Sequence, residues 1–170
     1  GDGVFYEVIC VDSGSGDDSV ETIKRHGCIL KQIPPEEFGH GKTRNLGASL
    51  GTGEFILFVT QDAMPADTHW LDQMLKAMKT DTNIAGGFGI HYPYPDCNYP
   101  DRLMLQEHFA RFGNENHVFE ITEENRKLYE EDEGYRQYLA VFSDNKSCLR
   151  RSVWEQIPYD DVDYAEDQFW

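Results

Sequence analysis

The most concentrated apolar block in the chain is Phe55-Ile56-Leu57-Phe58-Val59, introduced by Gly53-Glu54 and cut off by Thr60-Gln61-Asp62-Ala63. A short unbroken run of β-branched and aromatic residues bounded by Gly predicts a strand buried on both faces. Strands of that kind belong to parallel sheets covered by helices. Tyr6 to Val11 and Cys28 to Ile33 predict two further strands. Between them Asp18 and Glu21 stand at capping-box spacing, Val20 and Ile23 share a face, and Gly27 sits where a helix stops. Strand, loop, helix, strand in this order implies parallel strands joined by a helical crossover.

The same reading continues along the chain. Leu46 and Leu50 mark one face of a short helix that breaks at Gly51 and Gly53. From about Asp67 to Lys79 a second helix is expected, capped by Asp67 or Thr68, with Trp70, Leu71, Met74, Leu75 and Met78 as its apolar face. Ile84 to Ile90 predicts a strand loosened by three glycines. Asp101 to Phe112 reads as helix, and the acidic stretch Glu120 to Glu133 as one exposed helix. Leu139 to Ser143 is the last expected strand, followed by a short helix from Ser152 to Ile157. No internal repeat and no low-complexity linker interrupts the chain.

Composition narrows the class. At 170 residues the chain is one domain or a large part of one, long enough to bury roughly 70% of its unfolded surface. A net charge of −16 argues against a nucleic-acid backbone as partner, because binding phosphates along a strand needs clustered cations. It does not exclude an anionic ligand held by local Lys, Arg, backbone N–H groups or a metal. Cys10, Cys28, Cys97 and Cys148 form no CxxC pair and read as free thiols in a reducing compartment. No apolar run approaches the ~20 residues that span a bilayer, and no signal peptide is visible. A cytoplasmic domain is expected, compatible with peripheral attachment at the inner face of the cell membrane.

Three clusters carry candidate chemistry. Asp62 stands at the carboxyl end of the central strand, where open α/β sheets place their ligands. It either holds a divalent cation or ligand hydroxyl, or starts the turn before Pro65. Phe38 to Asn45 gathers His40, Lys42 and Arg44 just ahead of a helix, which makes either an anion site or a solvated basic turn. It is not a P-loop, because the upstream glycine spacing is missing. Near the end, Asp160, Asp161 and Asp163 lead to Glu166-Asp167 at what reads as the start of a helix. Acids there either complement the helix dipole or present a base from a rigid end.

Four segments, taken in order, resemble a known family: Val11-Asp12-Ser13-Gly14-Ser15 after a strand, Gly41-Lys42-Thr43-Arg44-Asn45-Leu46-Gly47-Ala48 before the central strand, Thr60-Gln61-Asp62-Ala63 at its end, and Arg150-Arg151-Ser152-Val153-Trp154 ahead of Ala165-Glu166-Asp167. Together they are similar to family 2 glycosyltransferases of the GT-A fold, in the rhamnosyltransferase-like branch of bacterial enzymes. The resemblance implies an α/β fold with a mostly parallel central sheet flanked by helices. It also implies inverting transfer from a nucleoside-diphosphate sugar, with dTDP-rhamnose as the suggested donor, to a glycan or lipid-linked acceptor. Thr60-Gln61-Asp62 matches the family's Asp-x-Asp motif, with Asp62 as the ligand of Mg2+ or Mn2+ and Thr60 in place of the first acid. Asp167 matches the general base, with Glu166 as the alternative. Asp12 and Ser13 match the turn that contacts the donor base, and Lys42 and Arg44 lie in the segment facing the donor phosphates. Family members begin with an earlier strand and continue with helices beyond the Glu-Asp pair. Residues 1–170 therefore read as a partial domain lacking the first nucleotide-binding strand and a C-terminal extension. Rival readings are a sugar nucleotidyltransferase, whose Gly-rich basic signature is not visible, and a non-catalytic nucleotide- or metal-binding domain degenerate at Thr60.

Overall fold

The computed structural model describes residues 3–113, 115–162 and 165–170; the acid expected to contribute at 163 lies outside them. Strands β1 (Ile9–Asp12) and β2 (Ile29–Gln32) pair in parallel, Ile9 opposite Ile29 and Asp12 opposite Gln32. Helix α1 (Ser19–Arg25) makes the crossover, and Gly27, at φ 70°, turns the chain back into β2 through the left-handed conformation that favours glycine. Asp18 does not cap α1; the neighbouring Asp17 accepts from the Ser19 backbone N–H at 3.0 Å.

Helix α2 (His40–Leu50) packs on β1 and leads to β3 (Phe55–Val59), the central apolar block. Helices α3 (Trp70–Met78) and α4 (Tyr99–Ala110) flank β4 (Gly86–Phe88) in sequence, and α5 (Arg126–Glu131) and α6 (Glu133–Leu139) follow. Then come β5 (Lys146–Arg150), α7 (Arg151–Trp154) and α8 (Glu166–Phe169). The second sheet has the order β3-β5-β4. Strand β5 runs antiparallel to both neighbours, so β3 and β4 point the same way.

Two expectations are corrected here. The strand expected at Leu139 to Ser143 is not a strand: Leu139 ends α6, and the strand is Lys146–Arg150. Its buried centre, Ser147-Cys148-Leu149, is hidden in the sequence by flanking cations. Arg150 is itself largely covered, and its head is satisfied there by donating to the carbonyls of Ile84 and Met78, each at 3.0 Å, the behaviour of a long side chain that keeps its charged head among polar atoms. The acidic stretch is also not one helix. Asp132 breaks it and caps α6, its side chain accepting from the Tyr135 N–H at 2.8 Å.

Ala48, Ile56, Leu149, Trp154 and Tyr159 form the core between α2 and the second sheet, with Phe58, Phe142 and Trp170 packed against them. The Cys148 thiol, next to Leu149 in β5, is fully buried, and that burial pushes its pKa up to about 12. Strand β3 is less covered than its composition predicts. Ile56 is buried, but Val59 is 46% exposed. The reason lies beside it: a slot of about 250 Å3 separates β1 from β3, lined by Ile9, Val11, Gly47, Phe55, Leu57 and Val59.

Candidate active site

The end of β3 and the start of α8 are brought together by two residues, Asp144 and Asn145, just before β5. The Thr60 N–H donates to the Asn145 carbonyl at 3.2 Å, and Ala63 N–H closes a turn onto the Thr60 carbonyl at 3.0 Å. That turn presents Gln61 and Asp62 to solvent. Its backbone is held from the far side by Tyr94, whose hydroxyl donates to the Asp62 carbonyl at 2.5 Å. On the other flank, the Asp144 N–H donates to Asp167 Oδ2 at 3.4 Å. Asp62 and Asp167, far apart in sequence, therefore border the same dipeptide.

Asp62 makes no side-chain hydrogen bond among the described residues, and Thr60 Oγ1 is buried without a partner. No three His, Cys, Asp or Glu side chains converge into a metal cage among the described residues. The open Asp62 carboxylate is a hard-oxygen donor, and the buried Thr60 hydroxyl is another oxygen without a partner. Such donors suit Mg2+ or Mn2+, which keep waters and substrate phosphates in most of their coordination positions.

Immediately before Glu166-Asp167 the backbone at Ala165 is left-handed, with φ 59° and ψ 35°. A non-glycine residue there costs on the order of 1 kcal/mol. Such strain clusters where a side chain must be aimed. It turns the chain so that Glu166 points inward, 5% exposed, while Asp167 stays partly open.

Arg44, expected to face phosphate, is placed otherwise. Its Nη1 is ion-paired with Glu166 Oε1, and its Nε lies 3.1 Å from Asp144 Oδ2. With both carboxylates at its head, the guanidinium is neutralised internally, and Lys42 is the exposed cation of this segment. Glu166, named as the alternative base, is turned inward onto Arg44, and Asp167 is the more open of the two acids.

Asp144 is 1% exposed. Its Oδ1 accepts from Ser147 Oγ at 2.6 Å and from the Tyr159 hydroxyl at 2.8 Å. Burial pushes its carboxyl above the ordinary range, against those hydrogen bonds and the Arg44 charge, which pull it down. Burial, and then the Asp144 charge, push the Tyr159 phenol upward, so its hydroxyl stays a donor. Tyr159 is held in turn by Asn45, which donates to its carbonyl at 2.8 Å and accepts from its N–H at 3.1 Å. The Trp154 indole donates to the same Asn45 oxygen at 2.9 Å.

The remaining expected residues sit at the edges. Asp12 closes the turn after β1, with Oδ1 accepting from Ser15 N–H at 3.1 Å and Oδ2 from Gln32 at 3.2 Å. Hydrogen bonds from Ser15 above all, then Gln32 and Gly14, hold its carboxyl below the usual range. Ser13 lies half-buried in the same turn. Arg151 clamps α2 to the start of β3, donating to the carbonyls of Gly53 at 2.5 Å and Ala48 at 3.1 Å. The Arg150-Arg151 pair thus forms a structural clasp. Sequence reasoning missed Asp144 and Tyr159. Neither carries a local signal, since an Asp in a polar run reads as a turn former and a Tyr after Pro as a loop residue.

Comparison with known proteins shows the family. The model of the family described as "Glycosyl transferase family 2" matches residues 3–156. The chain is 34% identical over 152 residues to the O-antigen chain rhamnosyltransferase WbaN of Salmonella anatum, covering 89% of this chain and 44% of that protein. It spans less than half the length of that relative. Among solved structures it resembles the mannosyltransferase PcManGT from Pyrobaculum calidifontis in complex with GDP-Man and Mn2+. The TM-score is 0.60 at 17% identity, over 95% of this chain and 40% of that one, a likeness of fold. Family model, relative and fold agree: the chain belongs to glycosyl transferase family 2.

Proposed function

We propose that this chain is the donor-side part of an inverting glycosyltransferase that moves a sugar, rhamnose from dTDP-rhamnose, onto a glycan or lipid-linked acceptor of a bacterial surface polysaccharide. The observation that carries the reading is the pair of hydrogen bonds from one dipeptide: Asn145 holds the turn bearing Asp62, and Asp144 holds Asp167.

Asp167 is the group that takes a proton from the acceptor hydroxyl. A hydroxyl is a poor nucleophile at neutral pH, and a positioned carboxylate accepting its proton as the new bond forms contributes ~10²–10⁴-fold. With no enzyme nucleophile, the single attack inverts the anomeric carbon. Asp62, with Thr60 beside it, would hold Mg2+ or Mn2+, which when bound neutralises charge on the departing diphosphate. Lys42, exposed at the first turn of α2, adds a cation for the same phosphates. Asp12, Ser13 and Gln61 border the donor's base and sugar. In this reading the slot between β1 and β3 receives an extended segment of the longer protein, hydrogen-bonding to both strands.

Calorimetry with dTDP, UDP and GDP, each with and without Mn2+, tests the donor side. Metal-dependent binding of dTDP lost in Asp62→Ala supports the reading; preference for another nucleotide replaces the donor. On the acceptor side, Asp167→Asn is expected to abolish transfer while sparing donor binding. Nucleotide binding by a full-length protein that neither transfers nor hydrolyses any donor would make it a binding domain, the reading favoured by Thr60 in place of an acid.

A further inference from the structure

We propose that Asp144 is a positioning residue for Asp167, acting on the Glu166-Asp167 pair from two directions at once. Its backbone N–H donates to Asp167 Oδ2 at 3.4 Å. Its side chain reaches the same helical turn by another route: Oδ2 lies 3.1 Å from Arg44 Nε, and Arg44 Nη1 is paired with Glu166. The carboxylate is in turn fixed by Ser147 Oγ and the Tyr159 hydroxyl. Arg44 stacks its guanidinium over the Tyr159 ring at 5.9 Å.

The arrangement is costly if it only stabilises. Two carboxylates, Asp144 and Glu166, are buried around one guanidinium, and buried ions carry desolvation penalties that apolar residues of similar size would avoid. Asp144 Oδ2 is left without a hydrogen bond, because the Arg44 N–H is close but not aimed at it. What the cluster gains is aim. Ala165 alone sets the backbone at the head of a short helix, and a side chain there has two χ angles of freedom. A donor on one oxygen of Asp167 and a fixed neighbour at Glu166 remove much of it. Misplacing a reacting group by about 1 Å costs on the order of 10²-fold in rate.

The Asp167 carboxylate meets the Asp144 N–H from the segment before β5, and Arg44 from α2 joins Asp144 to Glu166, the residue before it. Removing the Asp144 charge leaves Arg44 held by Glu166 alone, so the turn that carries Asp167 loses one of its two attachments.

The inference rests on the transferase reading, and the test separates the two. In the full-length protein, Asp144→Asn is expected to lower kcat by about 10- to 100-fold with KM for the donor within about twofold. The carboxyl carbon-13 NMR signal of Asp167 is expected to change position relative to the unsubstituted protein. Unchanged kcat with an unchanged Asp167 signal overturns the proposal. So does a parallel loss in kcat and donor affinity with that signal unmoved, since that is what mere loosening would do. Should Asp144→Asn fail to fold, Tyr159→Phe removes one hydrogen bond from Asp144 and is expected to lower kcat about 2- to 10-fold with the same sparing of KM; no effect overturns the proposal. If the unsubstituted protein transfers no sugar, the functional reading fails, and the Asp167 carboxyl signal alone decides the positioning role.

Discussion

Arg44 and Glu166 are joined in an ion pair that links the second turn of α2 to the start of α8. Both side chains are largely removed from water, at 17% and 6% exposure. Taking away the guanidinium leaves Glu166 and Asp144 buried together without a cation. Arg44→Ala is therefore expected to cost about 3–5 kcal/mol of stability, read from urea unfolding. Glu166→Gln, which keeps the shape and leaves Arg44 its Asp144 contact, is expected to cost less. A stable Arg44→Ala that loses only nucleotide affinity would return Arg44 to the phosphates.

Gly41 is buried in α2, and a Cβ there would run into the backbone carbonyl of Asp160 and lie 3.4 Å from Tyr159 Cβ. In an ordinary helix Gly→Ala stabilises by about 1 kcal/mol. Here the obstruction is main chain, which cannot swing aside. Gly41→Ala is expected to reverse sign and destabilise by about 1–3 kcal/mol, a difference that a urea midpoint resolves.

Asp12 supplies the acid dependence. Its carboxyl is depressed in the folded state, first by hydrogen bonds from Ser15, so the unfolded chain binds the proton more readily. The stability it adds is present above the ordinary carboxylate pKa of ~3.9 and is lost as pH falls through the folded value. Melting temperatures of Asp12→Asn and the unsubstituted chain should converge as pH drops toward about 3. Parallel curves would mean that the turn does not need the charge.

How much of this was legible beforehand depends on the range of the forces involved. Strand β3 could be read because burial and β-propensity act on the same five consecutive residues, Phe55 to Val59. The β1-α1-β2 unit could be read because its connections are short. Strand β5 could not, since its buried centre is flanked by Lys146, Arg150 and Arg151, and the two arginine heads find carbonyls that only the folded chain supplies. Val141 and Phe142, apolar neighbours of one another, drew the strand assignment to the wrong place. At the site, Asp62, Glu166 and Asp167 were legible by residue type and order. The division of labour between Glu166 and Asp167 was not. It depends on Arg44, which comes from α2, and Arg44 in turn owes its burial partly to Asp144. Basic residues before a helix look alike in sequence whether they meet a ligand or an internal acid.

The gap between β1 and β3 has a colloidal consequence. Each strand presents a row of backbone donors and acceptors beside apolar side chains such as Val11 and Val59, which is a template for another copy of the chain. At low ionic strength the charge of −16 keeps copies apart. At 0.15 M salt that repulsion is confined to a Debye length of ~8 Å. Light scattering of this chain alone should therefore rise with added salt, and a short apolar β-forming peptide that fills the gap should suppress the rise.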